Sequence, residues 1–522
     1  MSGGAESTGE GRGRSVRWPL LLLALLTVVG LAVADRGDDE SGTGILLLDL
    51  GVTSAAPGSH AEGGVWYCGD GTSAPGEFAD HSVIVANPAA APVIAAVSVY
   101  PATPAGSVSA SAAPREVTLT VPAWSEASLR LAEVVESQYT AALVEINSGQ
   151  AIVEQRVQGP TGVDVMPCAT RSSAVWHFAA GSTRRDARLA FTLFNPFPDR
   201  AVVKFTFSTD EGIREPQTLR GVLVPPRSLV VINATDVVPR FSSVSTTIES
   251  QTGRIVAGRL QLFDGTEGLE GLTAGPGIPE PQTQWVFPTG PTDSGMVEHM
   301  VLYNPSDEEA SAFVGIRLDS ADSGLSPAPF EVSVPPRQQI ALAFGDFGAY
   351  PLPPAPFAYS ASSTLPDGVG FWTGVQVYNG VPIVAERVAA ASASSSPAGV
   401  ATAAGTPVTA VRHLVAGNRA SEAEVALTVV NPSSDAIALV TVSRVADGQV
   451  VPISQLDPLE VAPHNRLLVP VDRLTDGDSY SLLVESTQPV AVGRSLLSRM
   501  GTGFASGGAV PFDPLPLDPS AF

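Results

Sequence analysis

Phe191-Thr192-Leu193-Phe194-Asn195-Pro196 is the stretch of sequence that decides the fold. Phe191 and Leu193 lie four and two positions before the asparagine, and this apolar period of two is typical of a β-strand with one buried face. Proline offers no N–H to a neighbouring strand and asparagine favours turns, so the strand ends at Asn195-Pro196. The stretch therefore predicts a β-strand followed directly by a turn.

The same pattern occurs three more times along the 522-residue chain. The other copies run from Val83 to Pro88, from Met300 to Pro305 and from Leu427 to Pro432, and their asparagines are Asn87, Asn304 and Asn431. Successive asparagines, starting from Asn87, are 108, 109 and 127 residues apart. An immunoglobulin-like sandwich takes about 100 residues. The sequence therefore predicts an all-β chain of tandem immunoglobulin-like β-sandwich domains.

Three further landmarks accompany each copy in a fixed order. An aromatic strand opens it, with a glycine five residues later: Trp66 and Gly71, Trp176 and Gly181, Trp285 and Gly290, and in the fourth copy Arg412 in place of tryptophan, with Gly417. A strand ending at proline follows Asn-Pro: Val121-Pro122, Val224-Pro225, Val334-Pro335 and Ala462-Pro463. Each copy closes on an apolar run and an arginine: Arg156, Arg259, Arg387 and Arg494. Such repetition predicts four units with one shared fold.

These landmarks set the predicted domain boundaries. The prediction comprises a cytoplasmic basic segment (1–17), a transmembrane anchor or signal peptide (18–34), a linker (35–62), sandwiches over 63–165, 166–275 and 276–390, a linker (391–408), a fourth sandwich (409–500) and an extended tail (501–522). The Ala/Ser/Gly-rich linker before the fourth sandwich is the best candidate for a hinge.

The N-terminal segment predicts export. Arg12, Arg14 and Arg17 precede an apolar run from Trp18 to Ala34, and acidic residues follow it. This order of charges places the N-terminus inside and the downstream chain outside the membrane. Ala32-Val33-Ala34 is a possible cleavage site, so an anchored chain and a secreted one both remain open.

The two cysteines, Cys68 and Cys168, agree with an exported chain. An oxidising compartment permits a disulfide, and two thiols are too few for a four-cysteine metal site. The sequence predicts that Cys68 and Cys168 pair, the alternative being two unrelated free thiols.

Charge and motif searches argue against several function classes. The formal net charge of −23 repels phosphate, so nucleic acid is not an expected partner. There is no Gly-x-Ser-x-Gly sequence, and six scattered histidines nominate neither a base nor a metal site. We therefore predict no catalytic, cofactor or metal site. A glycosidase-type pair of carboxylates is a distant alternative.

The repeated tryptophans and arginines each allow two interpretations. A residue that every copy requires is expected to serve the fold, because function usually singles out one copy. We therefore expect the tryptophans to be buried, and the arginines to bind carbonyls or carboxylates near the end of the closing strand. The alternatives are tryptophans displayed for sugars and a ligand-binding guanidinium repeated four times.

The closing stretch Pro382-Ile383-Val384-Ala385-Glu386-Arg387 and the other landmarks resemble a β-sandwich repeat of secreted bacterial surface proteins. With the apolar N-terminal run and Trp66-Tyr67-Cys68, residues 62–500 resemble an actinobacterial family of exported proteins of unknown function. The fourth copy departs from the pattern because it lacks the opening tryptophan. The resemblance implies a fold and a location, but no activity.

The function predicted from the sequence is a non-enzymatic protein of the cell envelope, acting as a structural or protein-binding scaffold. Its expected partners are an envelope protein or cell-wall glycan, and the membrane through the N-terminal helix. A carbohydrate-binding protein that engages cell-wall glycan is the main alternative, and an envelope hydrolase is a distant one.

Overall fold

The computed structural model describes residues 51–58, 63–290, 296–319, 328–344, 358–360, 370–394, 398–456, 458–471, 479–499 and 502–518. The prediction of an all-β fold is confirmed over these ranges. Their helices are short 3₁₀ segments at Leu131–Glu133, Gln217–Leu219, Ala234–Asp236 and Ser454–Leu456, and none could span a membrane. The predicted basic segment, the predicted membrane helix and most of the first linker lie outside the described residues.

Each copy contains two sheets, whose strands are antiparallel apart from one parallel pair at the edge of the third copy. In the first copy, β1 (Gly64–Gly71), β6 (Thr140–Ile146), β3 (Val93–Thr103) and β4 (Arg115–Val121) are neighbours in that order. The second sheet has the order β5 (Ser125–Arg130), β2 (Asp80–Asn87), β7 (Ile152–Gly159) and β8 (Gly162–Pro167). We call these the outer and inner sheets, and we call β1 the opening strand, β2 the Asn-Pro strand, β7 the closing strand and β8 the inner edge strand.

The second and third copies repeat this order. The second has an outer sheet of β9 (Val175–Phe178), β15 (Val244–Thr252), β11 (Ala201–Thr209), β12 (Gly212–Arg214) and β13 (Val222–Val224), and an inner sheet of β14 (Ser228–Asn233), β10 (Ala187–Asn195), β16 (Val256–Asp264) and β17 (Glu270–Pro276). The third has an outer sheet of β18 (Gln284–Phe287), β24 (Phe371–Val377), β20 (Ala310–Leu318) and β21 (Phe330–Val334), and an inner sheet of β23 (Ala358–Ser360), β22 (Gln339–Phe344), β19 (Met296–Tyr303), β25 (Val384–Ala391) and β26 (Gly399–Ala404).

In the fourth copy one long strand, β33 (Ser479–Ser498), belongs to both sheets. Its first half pairs with β27 (Val408–Arg419) and β29 (Ala438–Ala446), and its second half pairs with β28 (Ala423–Asn431) and β34 (Phe504–Gly508). The remaining strands are β30 (Gln449–Pro452), β31 (Leu459–Val461), β32 (Asn465–Pro470), β35 (Val510–Phe512) and β36 (Leu515–Pro516). A parallel pairing of β14 with β3 also joins the inner sheet of the second copy to the outer sheet of the first.

Two segments differ from the sequence prediction because they carry strands. Residues 399–404 of the predicted linker form β26, which pairs with β25, so this part is the inner edge strand of the third copy and not a hinge. Residues 504–516 of the predicted extended tail form β34, β35 and β36, which pair with β33 and β27. Small residues allow the close strand packing at both places, which composition alone does not distinguish from a linker.

The Asn-Pro asparagines explain why two landmarks always occur together. The Asn195 side chain donates to the carbonyl of Asp199 in its own turn and to the carbonyls of Val224 and Pro225 in the Val-Pro turn, at 2.8, 3.2 and 3.0 Å. Asn87, Asn304 and Asn431 make the equivalent bonds to Val121, Val334 and Val461. Each asparagine is buried and clamps two turns together.

The Val-Pro turns share one backbone conformation. Trp124, Arg227, Arg337 and His464 follow the prolines and have positive φ angles of 50°, 49°, 56° and 54°. The N–H of Arg227 donates to the carbonyl of Phe197 beside Asn195, at 3.0 Å, and the other three make equivalent bonds. The repeated turn is therefore fixed from both sides, although its left-handed residue is not a glycine.

The opening tryptophans are buried in their own sandwiches. Trp66, Trp176 and Trp285 have 0, 0 and 1% of their surface exposed. The Trp176 indole donates to the carbonyl of Ile255, and that of Trp285 to the carbonyl of Ile383, at 2.9 and 3.1 Å. In the fourth copy, pairing with β33 places His413 at the tryptophan position, since Val484 pairs with it as Val375 pairs with Trp285. Arg412 lies one residue earlier, half-buried, with its guanidinium 4.6 Å from the Phe512 ring.

Candidate functional site

Cys68 and Cys168 form a disulfide, as predicted, and both are fully buried. The bond joins the opening strand β1 to the residue that follows β8, across a sequence separation of 100. In the chain-entropy description, closing a loop of this size stabilises a fold by about 4–5 kcal/mol. The first sandwich is therefore tied at its two ends.

The closing arginines occupy equivalent positions in three copies only. Arg259, Arg387 and Arg494 each pair with the residue four before the Asn-Pro asparagine. In the first copy that position pairs with Gln155, and Arg156 lies one residue further along. The expected equivalence of Arg156 is therefore wrong by one residue, because the apolar run of the first copy begins at the buried Ala151. Arg156 instead forms an ion pair with Glu422 of the fourth copy.

Two of the three equivalent arginines, Arg259 and Arg494, also bind carboxylates of another copy. Arg259 donates to Glu386 of the third copy with both terminal nitrogens, at 2.8 and 3.2 Å. Arg494 donates to Glu154 of the first copy at 2.9 Å. All four residues are buried, and both glutamates pair with the residue three before an Asn-Pro asparagine. The same pairing thus joins the second copy to the third and the fourth to the first.

The backbone around these two pairs is also equivalent. The N–H of Ala180 donates to Glu386, and the N–H of Ala416 donates to Glu154, at 2.6 and 3.1 Å. The carbonyls of the same two alanines accept from Arg259 and Arg494. Each buried carboxylate therefore has a cation and an N–H as partners, as a buried charge requires.

A different carboxylate fills the joint between the first and second copies. Gln155 donates to Asp70 at 2.9 Å, and Thr192 of the second copy donates to the other Asp70 oxygen at 2.7 Å. Asp70 occupies the space that a side chain at residue 258 would need. Gly258 pairs with the residue three before Asn195, so it holds the position that Glu154 holds in the first copy and Glu386 in the third. The joint between the third and fourth copies has Thr289 and Gly493 at these two positions.

The four inner edge strands close the copies into a ring. Four glycines at these strands lie so close to the next copy that a Cβ atom would meet its backbone. A Cβ at Gly162 would lie 3.1 Å from the N of Leu272, and a Cβ at Gly271 would lie 2.5 Å from the N of Val400. A Cβ at Gly399 would lie 3.0 Å from the N of Phe504, and a Cβ at Gly503 would lie 3.0 Å from the N of Val163. Each strand thus meets the next copy's backbone, and the fourth returns to the first. These glycines could not be recognised from the sequence, because the number of residues between them and the closing arginine is not the same in every copy.

The landmark glycines also mark close approaches. A Cβ at Gly181 or Gly290 would lie 2.9 or 2.5 Å from the carbonyl that begins the neighbouring strand, at Val244 or Phe371. Gly71 lies against His81, and Gly417, with a φ of 67°, against Ile84 of the first copy. The first three positions therefore serve packing within a copy, and the fourth serves packing between copies.

A cavity of about 160 Å³ lies where the four copies meet. Its lining includes Asp164, Arg259, Glu386, His413 and Ser506, and residues 51–54. These N-terminal residues touch several copies, since Ser54 donates to the carbonyl of Cys168 at 2.7 Å and Thr53 to that of Gly277 at 3.1 Å. The described part of the first linker is thus packed onto the ring.

Burial dominates the electrostatics of the joints. It raises the pKa of Asp70 and of Asp164 to about 6, although both carboxylates accept hydrogen bonds. Burial also lowers the pKa of His81, His177 and His299 to about 4 and that of His413 to about 3, so these imidazoles are neutral at pH 7. In the described part of the chain, no group of three His, Cys, Asp or Glu side chains is placed to hold a metal ion.

This geometry defines an all-β protein of several sandwich-like sheets with a buried disulfide. Residues 150–276 match a family of unknown function, DUF5719. No curated protein matches the chain. Among solved structures, Streptomyces avermitilis alpha-L-rhamnosidase complexed with L-rhamnose is similar at 10% identity and a TM-score of 0.14, over 71% of this chain and 46% of the rhamnosidase. The chain spans less than half the length of that enzyme.

Removing one partner of the Arg259–Glu386 pair is expected to destabilise the whole ring. Glu386→Gln leaves a buried guanidinium without its counter-charge and should lower the free energy of unfolding by about 3–5 kcal/mol. The double variant Arg259→Met with Glu386→Leu should regain most of this loss, because neither charge is then buried. Denaturant unfolding of the disulfide-intact protein measures both.

Glu249→Gln is the matched control, since it breaks the exposed Lys204–Glu249 pair of the second copy and should cost less than about 1 kcal/mol. If Glu386→Gln cost no more than this control, the pair would not hold the second and third copies together.

Asp70→Asn should change how stability depends on pH. The Asp70 pKa is about 6 in the folded protein and about 4 in an unfolded chain, so this carboxyl's stabilisation is complete below pH 4 and lost as the pH rises through 6. Between pH 4 and 7 the free energy of unfolding of the wild-type protein should therefore fall by ~2 kcal/mol more than that of Asp70→Asn. Denaturant unfolding at both pH values tests this, with Asp307→Asn, an exposed carboxylate, as control. Parallel pH profiles for the wild type and Asp70→Asn would contradict it.

Proposed function

We propose that the chain is an exported, non-enzymatic protein of the cell envelope, a structural or protein-binding scaffold. The observation that carries this proposal is that buried charges of the four copies are used to hold the copies to one another, through Arg259–Glu386 and Arg494–Glu154. Such a ring leaves its outer strands and turns available to a partner. An envelope protein or cell-wall glycan is the partner we propose.

The location belongs to the same proposal. The disulfide supports an oxidising compartment. Arginines before the apolar run and acids after it support a chain whose sandwiches lie outside the membrane, anchored by the N-terminal helix or secreted after cleavage.

We also propose that the four units are immunoglobulin-like sandwiches in tandem. Their length and their two largely antiparallel sheets support this assignment. In each unit the opening strand belongs to the outer sheet, and the closing strand pairs with the Asn-Pro strand in the inner sheet.

Topology in intact cells tests the export proposal. The full chain is produced in a bacterial host, and spheroplasts are treated with protease and with a thiol reagent before and after reduction. The sandwiches should be cleaved from outside, and Cys68 and Cys168 should react only after reduction. The variant Leu22→Arg with Leu25→Arg interrupts the apolar run, so its product should stay protected with both thiols free. A wild-type chain that behaved like this variant would refute export.

Glycan binding is a second candidate, and one groove favours it. From the sequence, this candidate is favoured if Trp66, Trp176, Trp285, Trp124 or Trp372 faces solvent. Four of these five are at most 2% exposed, and Trp124 is half-buried against the core of the first copy. On the outer sheet of the third copy, however, Gly315 and Gly374 face each other across β20 and β24. They form the floor of a groove of about 260 Å³, which is also lined by Phe313, Arg317, Pro329, Trp372 and Gln376.

The groove has the surface that a sugar ring needs. Phe313, which lines the groove, is 42% exposed, and the ring of Tyr378, outside the lining and 48% exposed, lies 4.8 Å from it between centroids. A glycine inside a strand weakens it and often marks the close approach of a ligand. The first, second and fourth copies have Ser98 with Leu143, Thr206 with Thr247, and Ser443 with Leu483 at these positions. The third copy alone therefore offers a floor without side chains.

Filling the floor tests this second candidate. Gly315→Val puts a strand-compatible side chain into the groove and should abolish retention of the full-length protein on purified cell-wall polysaccharide. Ser98→Val makes the equivalent change in the first copy and should leave retention unchanged. Equal retention of the two variants would remove the groove as the glycan site.

A further inference from the structure

The joint between the third and fourth copies differs from the other three. Two joints have Glu386 or Glu154 facing the preceding copy's arginine, and the joint between the first and second copies has Asp70. At the contact between the third and fourth copies, Gly493 holds the position that Glu154 and Glu386 hold in their copies. Thr289 holds the position of Asp70, because each lies four residues after the opening tryptophan of its copy. No carboxylate of the fourth copy therefore meets Arg387 in the described chain.

Arg387 is nonetheless buried as deeply as its equivalents, with 3% of its surface exposed. One terminal nitrogen donates to Ser506 of the fourth copy. Its other terminal nitrogen, Nη1, has no hydrogen-bond partner among the described residues. Glu298 of the same copy forms a buried ion pair with Arg387, but its oxygen lies 3.8 Å from Nε, which is beyond hydrogen-bond distance. A buried donor left in this state is destabilising, because it has lost its hydrogen bonds to water and gained none in return.

A cavity of about 220 Å³ adjoins this guanidinium. Its lining joins Arg387 and Thr428 to apolar side chains that include Met296, Leu496 and Phe504. It also includes Glu424, whose carboxylate is paired with Arg499 at 3.1 Å. Thr428 pairs with Gly493, is 1% exposed, and its hydroxyl also has no partner in the described ranges. Leu468, which is 42% exposed, also lines the cavity. The cavity thus combines two unsatisfied polar groups with an apolar wall.

We propose that this cavity binds a small monocarboxylate with an apolar body, whose carboxylate accepts hydrogen bonds from Arg387 Nη1 and the Thr428 hydroxyl. The protein itself indicates the chemistry, because a carboxylate fills the corresponding place at the other three joints. The apolar walls select a body such as an aromatic ring or a short alkyl chain, and the volume is below that of a drug-sized pocket. This site is a ligand-binding role beyond that of a scaffold.

Methyl NMR of the full chain locates the binding. The chain has five methionines, and Met296 lines the cavity, so a sample labelled at the methionine methyl groups reports on it directly. Met296→Leu assigns the signal. Phenylacetate is titrated against phenylacetamide, a neutral molecule of the same shape. We expect saturable movement of the Met296 signal with millimolar phenylacetate and none with the amide.

Two variants remove the site in opposite ways. Thr289→Asp supplies the missing carboxylate at the position of Asp70 and should weaken phenylacetate binding at least tenfold while raising the melting temperature. Arg387→Gln should weaken binding to the same degree. Thr118→Asp, on the exposed face of β4, is the matched control and should bind as the wild type does. Equal binding of acid and amide, or no movement of Met296 with the acid, would overturn the proposal even if both variants failed to fold.

Discussion

A carboxylate cannot be buried without a cation or several N–H groups to meet it, and the whole ring depends on this constraint. Glu154 and Glu386 lie inside the protein only because an arginine from another copy reaches them, together with the backbone N–H of Ala416 or Ala180. Neither glutamate is satisfied within its own sandwich. The requirement converts four similar units into one body, because each joint is complete only when the neighbouring copy is in place.

Packing of the inner edge strands against one another also requires the neighbouring copy. The inner edge strands approach so closely that Gly162, Gly271, Gly399 and Gly503 each face the backbone of the next copy. The joints then specialise on this common frame. Two use Arg–Glu pairs, one uses Asp70 with Gln155, and the one at Arg387 leaves polar groups unsatisfied beside a cavity. One of the four contacts between copies thus differs from the others, while all four copies keep the same strand arrangement.

The landmarks that repeat in the sequence are those that each copy needs for itself. The Asn-Pro strands, the buried tryptophans and the Val-Pro turns follow from strand periodicity and turn chemistry, and all were predictable. That Asn195 binds the turn at Val224 was not, because a contact 29 residues away in sequence has no periodic signal. Gln155 and His413 show a second limit, since a shift of one residue between paired strands reassigns which side chain faces inward. Glu154 and Glu386 read as ordinary polar residues of a strand, because their partners belong to other copies.

Closure of the ring also sets an order of events during synthesis. Glu154 becomes part of the chain 340 residues before Arg494, which is its one charged hydrogen-bond partner among the described residues. At a synthesis rate of about 5–20 residues per second, the first sandwich waits on the order of half a minute for the residue that completes it. Throughout that interval the carboxylate must stay hydrated, so the inner face of the first copy remains open to water. The nascent chain therefore assembles as an open arc, and the last sandwich to be made locks the first.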